Sequence, residues 1–205
     1  DKVKLLNRQD TKFVYNQCQL PLLLDKIKSF YRILEINNSS LFQYDNLYYD
    51  TEDFLFYNQH HNEHRKRYKV RFRKYSSDSK IFFEIKIKNN KNRTVKKRLL
   101  VNKMNNDLGE KEKKMVSEVI GLSTNKLTPK LNMQFNRITL VDTRFRERLT
   151  IDTNLSIMNG NSSKIFDKLV ISEIKQDKYS PKSDFVQTMR NLKIPEMRFS
   201  KYCMG

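Results

Sequence analysis

Residues 67–75 read RYKVRFRKY, with Lys69, Arg71 and Arg73 at alternate positions and Val70 and Phe72 between them. On a β-strand successive side chains point to opposite faces, so this stretch presents one cationic and one mostly apolar face. The division recurs along the chain. In IFFEIKIK, Phe82, Glu84, Lys86 and Lys88 share one face and Phe83, Ile85 and Ile87 the other; in RTVKKRLLV, Thr94, Lys96 and Arg98 lie together. In FNRITLV, Arg137 lies between Phe135 and Thr139. RFRERLTID sets Arg144, Arg146, Arg148 and Asp152 against Phe145, Leu149 and Ile151, and VISEIKQD places Glu173 with Lys175. One account leaves the charged faces in water around an ordinary sandwich core. The other closes the strands into a barrel with the charges inward, giving a lumen that only a polyanion and its counter-cation could fill, with helices over the apolar outer faces. The dominance of Arg and Lys on these faces favours the second.

The 205 residues suffice for one domain, 1–205, with a sizeable core. An excess of 41 Lys+Arg over 23 Asp+Glu, a formal charge of +18, favours a polyanionic partner: nucleic acid, anionic membrane or a phosphate-rich substrate. The longest apolar run is LPLLL at 20–24, far short of the roughly 20 residues that cross a bilayer, and no secretory pattern opens the chain. A soluble, cytoplasmic protein is expected. Cys18 and Cys203 have no metal-ligand spacing and read as free thiols. Only four glycines are present and none forms a phosphate loop, so bound phosphate must be held by side chains.

TKFVYN alternates as a strand, and LPLLLDKIKSFYRIL has helical spacing with Pro21 in the first turn. LFQYDNLYYDT is extended, and TEDFLFYNQHHN reads as a short helix capped by Thr51 or Asp53. YKVRFRKY, KIFFEIKIK and RTVKKRLLV, separated by SSDS and KNNKN turns, form a meander of three antiparallel strands. GEKEKKMVSEVIGL and KSDFVQTMRNL have helical spacing; NMQFNRITLV, RFRERLTIDTNL and KLVISEIKQD read as strands, and NKMNND (102–107) and NGNSSK (159–164) as solvated loops.

Taken in order, TKFVY, YYDT, RYKVRFRKY, FFEIK, TVKKR, FNR, RLTIDTNL, ISEIK and the terminal SKY resemble the polyphosphate polymerase domain of the vacuolar transporter chaperone (VTC) family, within the triphosphate tunnel metalloenzymes. The resemblance spans essentially the whole chain. It implies an α+β fold, an antiparallel β-barrel forming a tunnel with helices packed outside. It also implies transfer of the γ-phosphoryl group of ATP onto a growing polyphosphate chain, with ADP released. Carried onto matching positions, the phosphate-binding cations correspond to Lys12, Arg71, Arg73, Lys86, Lys97 or a neighbour (Lys96 or Arg98), Arg137, Arg148, and Ser200 with Lys201; Lys69 and Lys175 stand beside them as further phosphate contacts. Glu173 matches the metal-binding glutamate for Mn²⁺ or Mg²⁺. Glu84 is either a second ligand or the salt-bridge partner of a neighbouring cation, and Asp152 is placed to orient an Arg.

The ExExK strand that opens many tunnel phosphohydrolases is missing near residue 12, which favours the polymerase branch over cyclase or triphosphatase relatives. The family's regulatory domain and membrane helices do not occur among these residues, so regulation and product translocation, if they occur, are expected to come from other subunits, with membrane association through a partner subunit. Two further readings stay open: hydrolysis of inorganic triphosphate or NTP on the same fold, and a non-catalytic binder of polyphosphate or nucleic acid. His60 and His64 in HHNEH share a helical face, but a third ligand is lacking and a solvated turn explains them as well. KNNKNRTVKKR reads as a hairpin entering a cationic strand in preference to a nucleic-acid patch, so no nucleic-acid partner is expected. The amphipathic LPLLLDKIKSFYRIL is expected to pack on the barrel and not in a membrane.

Overall fold

The computed structural model describes residues 9–90, 93–123, 126–144, 146–160 and 162–205. These form ten strands: β1 (Gln9–Asn16), β2 (Tyr31–Ile33), β3 (Leu41–Asp50), β4 (Arg67–Tyr75), β5 (Ile81–Lys88), β6 (Thr94–Val101), β7 (Thr128–Asp142), β8 (Glu147–Asn159), β9 (Ser162–Phe166) and β10 (Leu169–Gln176). Five α-helices accompany them: α1 (Leu20–Ile27), α2 (Leu55–His61), α3 (Glu110–Ile120), α4 (Asp184–Asn191) and α5 (Lys201–Met204). The strands pair in the order β1-β10-β8-β7-β3-β4-β5-β6, with β2 on β7 and β9 on β8. Among the described residues this path is an open one, whereas a closed barrel was expected; the antiparallel tunnel architecture is otherwise the one anticipated.

The chain gathers into two compact units, one of residues 1–43, 135–156 and 165–199, the other of 44–134, 157–164 and 200–205. In the first unit the apolar faces of β1, β8 and β10 supply Phe13, Leu149, Ile151, Val170 and Ile174 to a core closed by Leu23 and Ile27 of α1 and by Phe185, Val186 and Met189 of α4. In the second unit the apolar face of the β4–β5 pair, Val70, Phe72, Phe83 and Ile85, is fully buried. Phe56 of α2, also fully buried, packs beside Tyr68 with ring centroids 5.9 Å apart. In each unit, therefore, it is the apolar strand face that the helices cover. The cationic face is the other one, and the alternation of strand side chains dictates this.

Several expectations are corrected. The helix that begins at Leu20 ends at Ile27, because Tyr31–Ile33 is drawn into pairing with Asp142–Leu140 of β7. Ser162–Phe166 is a strand, β9, paired to β8, so residues 162–164 of the loop read at 159–164 belong to a strand; Asn161 lies outside the described residues. Arg144 and Arg146 leave the charged face: β8 begins only at Glu147, and both guanidinium groups turn to Asp142. Phe145 lies outside the described residues. No helix among the described residues is long and apolar enough to cross a membrane.

Candidate phosphate-binding site

In the second unit the register of β3, β4, β5 and β6 builds one charged face. Arg71 stands opposite Glu84 and Tyr48, Lys69 opposite Lys86, and Arg73 opposite Phe82 and Asn46. Glu84 faces Arg98 and Lys86 faces Lys96 on β6, so Lys96 and Arg98 belong to this face. Lys97 does not: it pairs with Ile85, whose side chain is in the core, so parity turns Lys97 away from Arg71. The VKKR ambiguity resolves toward Lys96 and Arg98, and Lys97 leaves the candidate set.

Glu84 organises the face. Its carboxylate is 1% exposed. Oε2 accepts from Arg71 Nε and Nη2 at 3.0 and 2.7 Å, and Oε1 from Lys96 Nζ at 3.2 Å. Burial pushes its pKa up, but the charges of Arg71, Arg73 and Lys96 and the hydrogen bond from Arg71 outweigh burial and bring it down to about 2. Glu84 thus forms the salt bridges of one of its two alternatives, with Arg71 and Lys96 as the partners. Arg71 is held on its third side by the Tyr48 hydroxyl, to which Nη1 donates at 3.0 Å. Arg73 donates through Nε to Asn46 Oδ1 at 2.7 Å and lies over the Tyr44 ring at 5.2 Å. Asn46, buried, is anchored by donating to the Met133 carbonyl. Ser200 caps α5 and accepts from Lys69 Nζ at 2.9 Å, and Lys201 follows it.

In the first unit Lys12 on β1 pairs with Glu173 on β10, and Glu173 and Lys175 pair with Thr150 and Arg148 on β8. These side chains share the face opposite the α1/α4 core. Lys175 donates to Glu173 Oε1 at 2.6 Å, and Lys12 to the Phe199 carbonyl at 2.6 Å. Arg137 makes a two-pronged contact with Asp152, Nε to Oδ1 at 2.6 Å and Nη2 to Oδ2 at 2.7 Å. Asp152 thus orients an Arg, as its position suggested.

The sequence did not single out Asn46 or Tyr48. The available signal was the period of two in FQYDNLYYD, which sets Tyr44, Asn46, Tyr48 and Asp50 on one face of β3. The histidines serve structure: His60 Nε2 bonds the Tyr68 carbonyl at 3.0 Å, and His61 stacks on Tyr57. Burial first, then the charges of Lys69 and Arg67, press the His60 pKa down to about 2, so the ring is neutral at physiological pH.

Among the described residues no three His, Cys, Asp or Glu side chains come together as a metal cage. Glu173 nonetheless fits a hard divalent ion. Its side chain is 18% exposed, and one carboxylate suffices where phosphate oxygens complete the coordination.

Antiparallel strands with helices on their apolar faces and arginine and lysine on the others are the arrangement that the tunnel fold leads one to expect. The chain belongs to the family described as VTC domain, whose sequence profile matches residues 7–205. Solved structures agree on the fold. HpAC1 from Hippeastrum, provisionally named an adenylyl cyclase and credited with a dominant triphosphatase activity, is 12% identical over 96% of this chain and 94% of its own, with a TM-score of 0.58. A provisionally named adenylate cyclase from Bacillus halodurans is 10% identical over 97% and 98%, with a TM-score of 0.60. The PH1819 protein from Pyrococcus horikoshii is 11% identical over 96% and 94%, with a TM-score of 0.53. No curated protein sequence matches the chain.

Proposed function

We propose that this VTC-domain chain is an ATP-polyphosphate phosphotransferase. A terminal oxygen of the polyphosphate chain attacks the γ-phosphorus of ATP, the bond from that phosphorus to the β,γ-bridging oxygen breaks, and ADP leaves. The observation that carries this reading is the concentration of guanidinium and ammonium groups on the strand faces turned away from the helices, several of them fixed in orientation by acids beneath. Phosphoryl transfer passes through a loose transition state, so positioning and charge neutralisation are the main work. Arg71, Arg73, Lys86 and Lys201, with Lys69, Lys96, Arg98 and Ser200, bind phosphate oxygens in the second unit; Lys12, Arg137, Arg148 and Lys175 bind them in the first. Three N–H groups of Arg71 are committed to Glu84 and Tyr48, which sets the plane of the guanidinium before any phosphate arrives. Asp152 does the same for Arg137. Glu173 would hold Mn²⁺ or Mg²⁺, which when bound neutralises charge on the phosphate oxygens. ATP as donor suits a cytoplasmic site, and a membrane-bound partner subunit would supply any membrane association.

The test is incubation with γ-labelled ATP, Mn²⁺ or Mg²⁺ and a short polyphosphate primer, with products separated by chain length. A ladder is expected from the wild-type chain and none from a folded Glu173→Gln variant. Labelled orthophosphate without chain growth would replace the reading with a triphosphatase. Untouched ATP with salt-sensitive polyphosphate binding would replace it with a binding module.

A further inference from the structure

Helix α5 (Lys201–Met204) is capped by Ser200, which meets Lys69 on the cation face of the second unit, yet four residues make barely one turn and cannot hold themselves in place. What fixes the turn is Tyr202, fourth residue from the end of the sequence. Its ring stacks on Tyr48, with centroids 5.1 Å apart and 24° between planes, and its hydroxyl donates to Asp50 Oδ2. Asp50 is fully buried and is itself clamped: Oδ1 accepts from the Thr51 and Phe56 backbone N–H groups and Oδ2 from that of Tyr57, each at 2.8 Å. Tyr48 in turn accepts a hydrogen bond from Arg71 Nη1, and Lys69 reaches Ser200 across 131 residues of sequence. Two segments remote in the chain thus meet through one tyrosine pair.

We propose that Tyr202 is a positioning residue, whose hydroxyl on Asp50 and ring on Tyr48 hold α5 so that Lys201 and Ser200 stand in register with the Arg71 row for phosphate binding. The inference rests on reading that row as a phosphate site. Two electrostatic effects agree with it. Burial raises the Tyr48 pKa, but the charges of Arg71 and Arg73, the hydrogen bond from Arg71 and the charge of Lys201 together lower it. Burial and the bond to Asp50 raise the Tyr202 pKa, so Tyr202 stays a donor at physiological pH.

Tyr202→Phe keeps the ring and removes the hydroxyl. Cys203, the next residue and partly buried, reports whether α5 remains docked, once the exposed Cys18 is removed by Cys18→Ser. Loss of a hydrogen bond to a buried carboxylate should raise the rate of Cys203 alkylation by iodoacetamide about tenfold or more. In a second measurement, the affinity for long-chain inorganic polyphosphate is followed against salt. Displacing Lys201 should lower the slope of log affinity on log salt by about 0.7–0.9, the value of one lost cation contact, and Lys201→Met should then cost nothing further in the Tyr202→Phe background. A purely structural contribution would lower the melting temperature while leaving that slope and the full cost of Lys201→Met intact. An unchanged Cys203 rate overturns the tether. A raised rate with an unchanged slope overturns the positioning role. A wild-type chain that does not bind polyphosphate overturns the phosphate reading of the face and the role with it, while the Cys203 rate still reports separately on the tether.

Discussion

Glu84→Gln removes a charge and almost no volume, which makes it a sharp probe of how the cation face is held together. The buried Glu84 carboxylate touches Arg71 through two N–H groups and Lys96 through one ammonium. Its pKa falls from 4.5 to about 2. At about 1.4 kcal/mol per pKa unit, the ionised group contributes about 3 kcal/mol of stability at neutral pH. That is the lower end of the about 3–5 kcal/mol expected when one partner of a buried pair is lost. The sign follows from the depressed folded pKa: the contribution is complete above the unfolded value and disappears as pH drops through the folded one. The gap between wild type and Glu84→Gln should therefore be complete above about pH 5 and fall to less than about half by pH 3. Urea unfolding of both proteins at pH 7 and pH 3 measures it, provided the two share one dependence on denaturant. Equal stability at pH 7, or a gap that does not shrink at pH 3, refutes the reasoning.

Lys97→Ala should leave chain elongation from γ-labelled ATP within about twofold of wild type, whereas Lys96→Ala should cost about tenfold or more through a lost charge-assisted contact; equal losses would show that strand parity does not select the phosphate ligands. Asp152→Asn, which weakens the two-pronged hold on a part-buried Arg137, should cost about 3–5 kcal/mol in urea unfolding and weaken polyphosphate binding; unchanged binding would remove Arg137 from the site. The His60 ring, bonded to the Tyr68 carbonyl and set between Lys69 and Arg67, should show no titration between pH 5 and 8 in proton NMR. A midpoint near the usual histidine value would refute its burial and its neighbours' effect.

The alternation seen in RYKVRFRKY and its neighbouring strands carried much of the fold, because a period of two is a local property and burial of one face needs no knowledge of distant partners. The β4–β6 meander, α3 and α4 follow from that and from helical spacing. What escaped were choices made by remote contacts. VKKR could not be resolved until the register set Glu84 against Arg98 and Ile85 against Lys97. Arg144 and Arg146 continue the alternation of β8 in sequence, yet Asp142 gathers the Arg146 and Glu147 backbone N–H groups and bends the chain into a turn. Thr51 or Asp53 was the natural cap of α2. Thr51 Oγ1 does take the Leu55 N–H, but the carboxylate that reaches into the first turn belongs to Asp50, on the preceding strand.

A chain with +18 formal charge must offset its own repulsion to fold, and the charged faces do so with acids placed one at a time. Glu84 serves Arg71 and Lys96, Asp152 serves Arg137, and Glu173 serves Lys175. Buried ion pairs of this kind are weak as sources of stability, since apolar side chains of equal volume often do as well or better. Their use here lies in direction: a guanidinium fixed on two or three sides keeps its remaining N–H groups aimed, at no further cost in side-chain order when an anion arrives. The acids are too few to neutralise the chain, so the polyphosphate of the proposed function would both find its ligands ready and relieve the repulsion that the fold tolerates without it. Under the proposed function, binding and folding stability would be coupled through the same side chains, and polyphosphate should raise the stability of the folded chain.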